Sequence, residues 1–164
     1  MKSSTRLAQL IAANQIAGAL WVTLATLVFG ISHGSALETL LALALGVLGI
    51  VGGAIALRGS RTGITILVVI LALQITRFAN AAFAWQFYLG ATWRVALQPT
   101  AGSDFGFEGL FSIAPWPAGG GSLLEVNLTA LLASIYLLFY LYRARMQSIA
   151  IPASAHDDVR EAKA

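Results

Sequence analysis

The sequence predicts an all-α integral membrane protein folded as an antiparallel bundle of four transmembrane helices. Composition is the first reason: 58% of the 164 residues are apolar, 10% are charged and the mean hydropathy is +0.79, outside the range of an ordinary soluble domain. The second is spacing. Predominantly apolar stretches of about 20 residues, the length that crosses a bilayer, recur at 7–31, 36–57, 63–89 and 122–142. The third is charge placement. Lys2 and Arg6 precede the first stretch, Arg58 and Arg61 fill the RGSRTG turn after the second, and Arg143 and Arg145 follow the fourth. Cationic residues concentrate on the cytoplasmic side of bacterial-type membranes, so both N and C termini are expected there, in a multi-pass protein of the inner membrane. Residues 1–150 read as the membrane domain and 151–164 as a polar cytoplasmic tail of mixed charge.

Span one has a basic start, but its apolar run is too long for a secretory signal and is interrupted by Asn14 and Gln15. Span two presents Ala42, Gly46, Gly49, Gly53 and Ala56 at alternating four- and three-residue steps. In lipid, helix association depends on contact between closely approaching backbones, so this stripe is the expected packing surface, first within the chain and then between copies.

Span three, ILALQITRFANAAFAWQFYL in its second half, carries Gln74, Arg77 and Asn80 at three-residue intervals. Read as a helix, it places all three on one side, facing neighbouring helices. A guanidinium in hydrocarbon costs about 2.5–3.5 kcal/mol on insertion scales, which the span's apolar residues offset, so it is the surrounding polar pattern, not the cost, that asks for a carboxylate partner. Glu38 at the outer start of span two and Glu125 at the outer start of span four are the candidates, with Asn127 as a further polar neighbour. Trp85, Tyr88 and Trp93 at one end of span three, and Tyr136, Phe139, Tyr140 and Tyr142 at the cytoplasmic end of span four, are expected as interfacial anchors.

Between spans three and four, TWRVALQPTAGSDFGFEGLFSIAPWPAGGGS is expected as a long outer loop. Its Phe105, Phe107, Leu110, Phe111, Ile113 and Trp116 are too apolar for a solvated linker and suggest a segment resting on the membrane or capping the bundle.

Several chemistries have no footing in the sequence. With no cysteine there is no thiolate, disulfide or cysteine-bound metal. The histidines, His33 and His156, lie in a loop and in the tail, and the phosphate-loop, zinc-protease and serine-hydrolase motifs are absent. No cofactor or metal is expected, and the net charge of +3 is scattered at helix ends rather than striped for nucleic acid. The expected function is that of a non-catalytic membrane component, an accessory subunit or small oligomeric transport element, whose partners are the bilayer and a homo-oligomer or larger complex. The alternative is an enzyme or carrier that holds an anionic amphiphile through Arg77.

Overall fold

The computed structural model describes residues 2–29, 36–80, 84–98, 101–114 and 122–149. His33, His156, residues 115–121 of the long loop and the tail lie outside them. The chain runs α1 (Lys2–Phe29), α2 (Ala36–Leu57), α3 (Arg61–Leu73), β1 (Thr76–Ala79), β2 (Ala84–Gln98), β3 (Gly102–Ala114), β4 (Leu123–Asn127) and α4 (Leu128–Ile149). The expectation of an all-α four-helix transmembrane bundle is therefore overturned: the described residues form four helices and a four-stranded antiparallel sheet. Among the described residues, two helices, Thr5–Val28 within α1 and Ala36–Leu57, are long and apolar enough to cross a membrane.

Span three fails as a helix halfway along. The helix ends at Leu73, where the C-cap Gln74 donates its N–H to the Leu71 carbonyl. From Thr76 the chain is rich in Thr, Phe, Trp, Tyr and Val, residues that suit a pleated surface. Gly90 takes a φ of +87°, a left-handed conformation that glycine adopts without a Cβ clash and that no α-helix contains. The presumed outer loop is mostly strand as well. β2 and β3 form a long hairpin in which Ala91 faces Phe107, Trp93 faces Phe105 and Arg94 faces Asp104. The alternation of SDFGFE, polar then aromatic, is its signature. Span four also begins as strand, and its helix starts only at Leu128.

The sheet order is β1-β4-β2-β3, and β1 also pairs with the start of β2. The strands β1, β4 and β2 thus close on one another, while β3 remains an edge. The helices share one apolar cluster, Ala8, Ala12, Ala56, Ile64, Leu67, Leu71, Ala130 and Leu137. A second, with Ala19, Val22, Ala42, Ile70, Phe87 and Leu89, seats the odd-numbered face of β2 on α1, α2 and α3.

The small-residue stripe of α2 meets α1 of the same chain. A Cβ on Gly46 would lie 2.3 Å from Thr23 Oγ1, one on Gly49 2.8 Å from Ala19 Cβ, and one on Gly53 2.4 Å from Ile16 Cγ1. Rising numbers on α2 meet falling numbers on α1, so the helices are antiparallel. At the other end of the fold, Arg61 Nη2 donates to the Ala144 carbonyl at 2.9 Å, setting the start of α3 beside the end of α4.

The tightest crossing lies between α1 and the hairpin. A Cβ on Gly18 would sit 2.0 Å from the Gly90 nitrogen, and one on Gly109 would sit 2.5 Å from Trp21 Cδ1. At Gly18 and Gly90, helix backbone and strand backbone touch with no side chain between them. Gly18→Ala therefore forces α1 off the sheet, with an expected loss of about 3 kcal/mol, whereas Gly102→Ala, with nothing within 4 Å of the added carbon, should be close to neutral. Thermal unfolding of the two variants in the same detergent checks the contrast.

Candidate functional site

Where α3 ends and the sheet begins, buried amides take over the backbone pairing. Gln74 Nε2 donates to Gln15 Oε1 at 2.8 Å, Gln15 Nε2 donates to the Leu89 carbonyl at 3.1 Å, and the Leu89 N–H donates to Gln74 Oε1 at 2.9 Å. The three bonds form a closed ring, and Gln15 and Gln74 are both fully buried. Two residues further on, the Ala91 N–H donates to Asn14 Oδ1 at 3.0 Å. Asn127 performs a related task from β4. Its Oδ1 accepts from the Ala130 N–H, capping α4, and from the Trp93 N–H, while its own N–H bonds the Ile75 carbonyl at 2.7 Å.

Arg77 lies on β1 directly opposite Glu125 on β4, and its Nη1 is 3.1 Å from Glu125 Oε2. The two meet across a strand pair, not between helices as the helical reading of span three requires. Glu38 is buried in the first turn of α2, and Asn80 is exposed just beyond β1. Gln74, Arg77 and Asn80 therefore share no helical face: the first is a helix C-cap, the second a strand residue and the third follows that strand.

Beside this pair stands a second cation that sequence reasoning placed in the loop. Arg94 Nη2 bonds Asp104, its cross-strand partner, and lies 2.9 Å from Glu108 Oε1. Its guanidinium covers the Tyr88 ring with Cζ 5.6 Å from the centroid. Burial works against the Arg94 charge, but the Asp104 hydrogen bond and the charges of Glu108, Asp104 and Glu125 outweigh it and raise its pKa. A cavity of about 350 Å³ opens on the group, lined by Arg77, Arg94, Ala96, Gly102, Ser103, Asp104 and Glu125.

Tyr88, expected as an interfacial anchor, is instead fully buried. Burial, then the charge of Glu125, pushes its phenol far above the ordinary value, against smaller opposing effects of Arg77 and Arg94. Among the described residues its hydroxyl has no hydrogen-bond partner, and neither do the buried Arg94 Nε and Glu108 Oε2. The phenol stays protonated at neutral pH, and both guanidinia are held by carboxylates. Among the described residues, no three His, Cys, Asp or Glu side chains converge to hold a metal ion.

A separate apolar cavity of about 200 Å³ lies between α1, α3, α4 and β2, walled by Leu10, Ile11, Leu71 and Ala133 above the amides Asn14, Gln15 and Gln74. The pattern that would have revealed the charged group is the strict alternation in β3, which puts Asp104 and Glu108 on one face and Phe105 and Phe107 on the other. No protein-family model, curated protein or solved structure matches the chain.

Two measurements probe these groups. Gln74→Leu leaves the Leu89 N–H and the Gln15 side-chain oxygen buried without partners and should cost about 3 kcal/mol in denaturant unfolding. The Tyr88 contribution to stability is intact below the ordinary phenol pKa of about 10 and is lost as pH rises toward the folded value, by about 1.4 kcal/mol per pH unit. Tyr88→Phe should remove that alkaline component, measured as the difference between the two unfolding curves from about pH 9 to about pH 12.

Proposed function

We propose that the protein is a non-catalytic, multi-pass component of the inner membrane that works by assembly, with the outer edge of β3 as its joint and a second copy as its partner. The lipid-facing part is the α1–α2 hairpin. Leu10, Leu24 and Leu27 on α1 and Leu37, Leu40 and Val47 on α2 are all exposed, an apolar surface far larger than water tolerates on a monomer. The basic residues at the start of α1 and in the turn after α2 then put those ends in the cytoplasm.

The observation that carries the reading is the position of the free edge. β3 ends the sheet, and no described strand pairs with its outer side. Its Gly109 packs on Gly18, Trp21 and Val22, near the middle of α1. If α1 crosses the bilayer, that edge lies within the hydrocarbon, where each unpaired N–H or C=O costs several kcal/mol. A strand from another polypeptide removes the cost. Two copies pairing antiparallel about Gly106 set Phe105 of one opposite Phe107 of the other, a favourable aromatic cross-strand pair in a self-complementary two-fold contact. Asp104 and Glu108 also come opposite each other, each already compensated by Arg94 of its own chain. The carrier reading has less support, because the charges around Arg77 contain more carboxylates than guanidinia.

The chain has no native cysteine, so Gly106→Cys gives a single reactive site where an added side chain has room. In intact membranes, a bismaleimide should link two copies of the variant into a dimer. A crosslink to a different protein would retain assembly and overturn the second copy. A monomer whose introduced thiol reacts freely with a membrane-impermeant maleimide would overturn the whole reading.

A further inference from the structure

The cavity on the charged face of the sheet has the features of a ligand site. Its lining brings together Arg77, Arg94, Asp104 and Glu125, and Ser103 and Asp104 stand exposed at its mouth. Glu108, outside the lining, bonds the same Arg94 Nη2 that Asp104 engages. Counting the side chains of the group, two guanidinia (Arg77 and Arg94) meet three carboxylates (Asp104, Glu108 and Glu125), a formal excess of one negative charge. Every cation is engaged by a carboxylate, so an incoming anion would have to displace one and would enter a net negative field. An incoming cation meets the opposite balance.

A second observation is independent of the charge count. Tyr88 is fully buried beneath Arg94, its hydroxyl has no partner, and the charges it feels include Glu125 and Arg77, both of which line the cavity. Arg94 Nε and Glu108 Oε2 are likewise buried and unpartnered. Buried polar groups almost always have a partner. Three orphans around one guanidinium, beside a cavity of about 350 Å³, mark a place where a small polar molecule belongs. An ammonium supplies N–H donors to the surplus carboxylate oxygens, and an attached hydroxyl or phosphate oxygen can accept from a guanidinium N–H.

We propose that this cavity binds a primary alkylammonium group, either on a free small amine or on the headgroup of an ethanolamine lipid. The inference goes beyond assembly through β3 and is tested by different measurements. Ethanolamine, putrescine, tetramethylammonium and inorganic phosphate are titrated calorimetrically into the full chain in detergent. In parallel, the chain is reconstituted in nanodiscs of mixed phosphatidylethanolamine and phosphatidylcholine, and the lipids retained on release are counted by native mass spectrometry.

Saturable binding of ethanolamine or putrescine, with no binding of tetramethylammonium, assigns a free amine. Selective retention of the ethanolamine lipid without binding of the free amine assigns the headgroup. In either case Glu125→Gln should weaken binding at least tenfold, and so should Gly102→Trp, whose side chain rises from the cavity-lining face of β3 opposite Ala96 and fills the cavity without altering a charge; circular dichroism shows that each variant is folded. The proposal is overturned if neither amine nor ethanolamine lipid is selected, if phosphate binds more tightly than the ammonium probes, or if folded Gly102→Trp binds like the parent chain.

Discussion

A strand that packs against a helix at backbone distance must find partners for whatever N–H and C=O groups its neighbours leave open, and the rest of this fold is arranged around one such stretch. At Leu89 to Ala91 the partners are side-chain amides of α1 and of the α3 C-cap, Asn14, Gln15 and Gln74. Fixing Gln74 there explains why α3 stops after Leu73. Bringing α1 close enough explains why Gly18 and Gly90 meet without side chains. With the odd-numbered face of β2 thus committed to the helices, its even-numbered face, with Tyr88 and Arg94, is free to collect the charges of β1, β3 and β4. The amide ring and the ionic group are consequences of one placement.

Much of this was legible in the residues, and the part that was not has a clear physical cause. The stripe from Ala42 to Ala56 could be read because small residues at helical spacing have one obvious use, and α1 occupies it. Arg77 and Glu125 could be nominated as partners because Gln74, Arg77 and Asn80 make a polar pattern within an apolar stretch and Glu125 opens the next one. Their geometry could not be read. Hydropathy measures the solvent a segment prefers and says nothing about whether it coils or extends, so 63–89 looked like one span when only its first half is helical. The aromatic and β-branched content after Thr76 and the polar–aromatic alternation of SDFGFE were the available signals. The three-residue spacing of Gln74, Arg77 and Asn80 outweighed them by coincidence.

Arg94 was the residue most undervalued in the sequence. In a loop it would be one more solvated cation; on a strand opposite Asp104, with Glu108 on the same face of β3, it becomes the hub of the group. The cross-strand register alone makes that difference. It also shifts attention from Arg77, whose bond to a single directly opposed carboxylate reads as sheet pairing, to the crowded neighbourhood of Tyr88. The hairpin thus keeps its two faces distinct: Phe105 and Phe107 remain exposed on one, and ionic bonds gather on the other.

The Gln15 bond to Leu89 spans 74 residues of chain. For a helix threaded into the bilayer as the ribosome makes it, at about 5–20 residues per second, the amide arrives several seconds before its acceptor has been translated. During that interval Asn14 and Gln15 sit in a nascent apolar segment with their eventual partners not yet synthesised. On the proposed membrane placement, biogenesis of this chain includes a waiting period in which a lipid headgroup or water must hold those amides until the hairpin arrives.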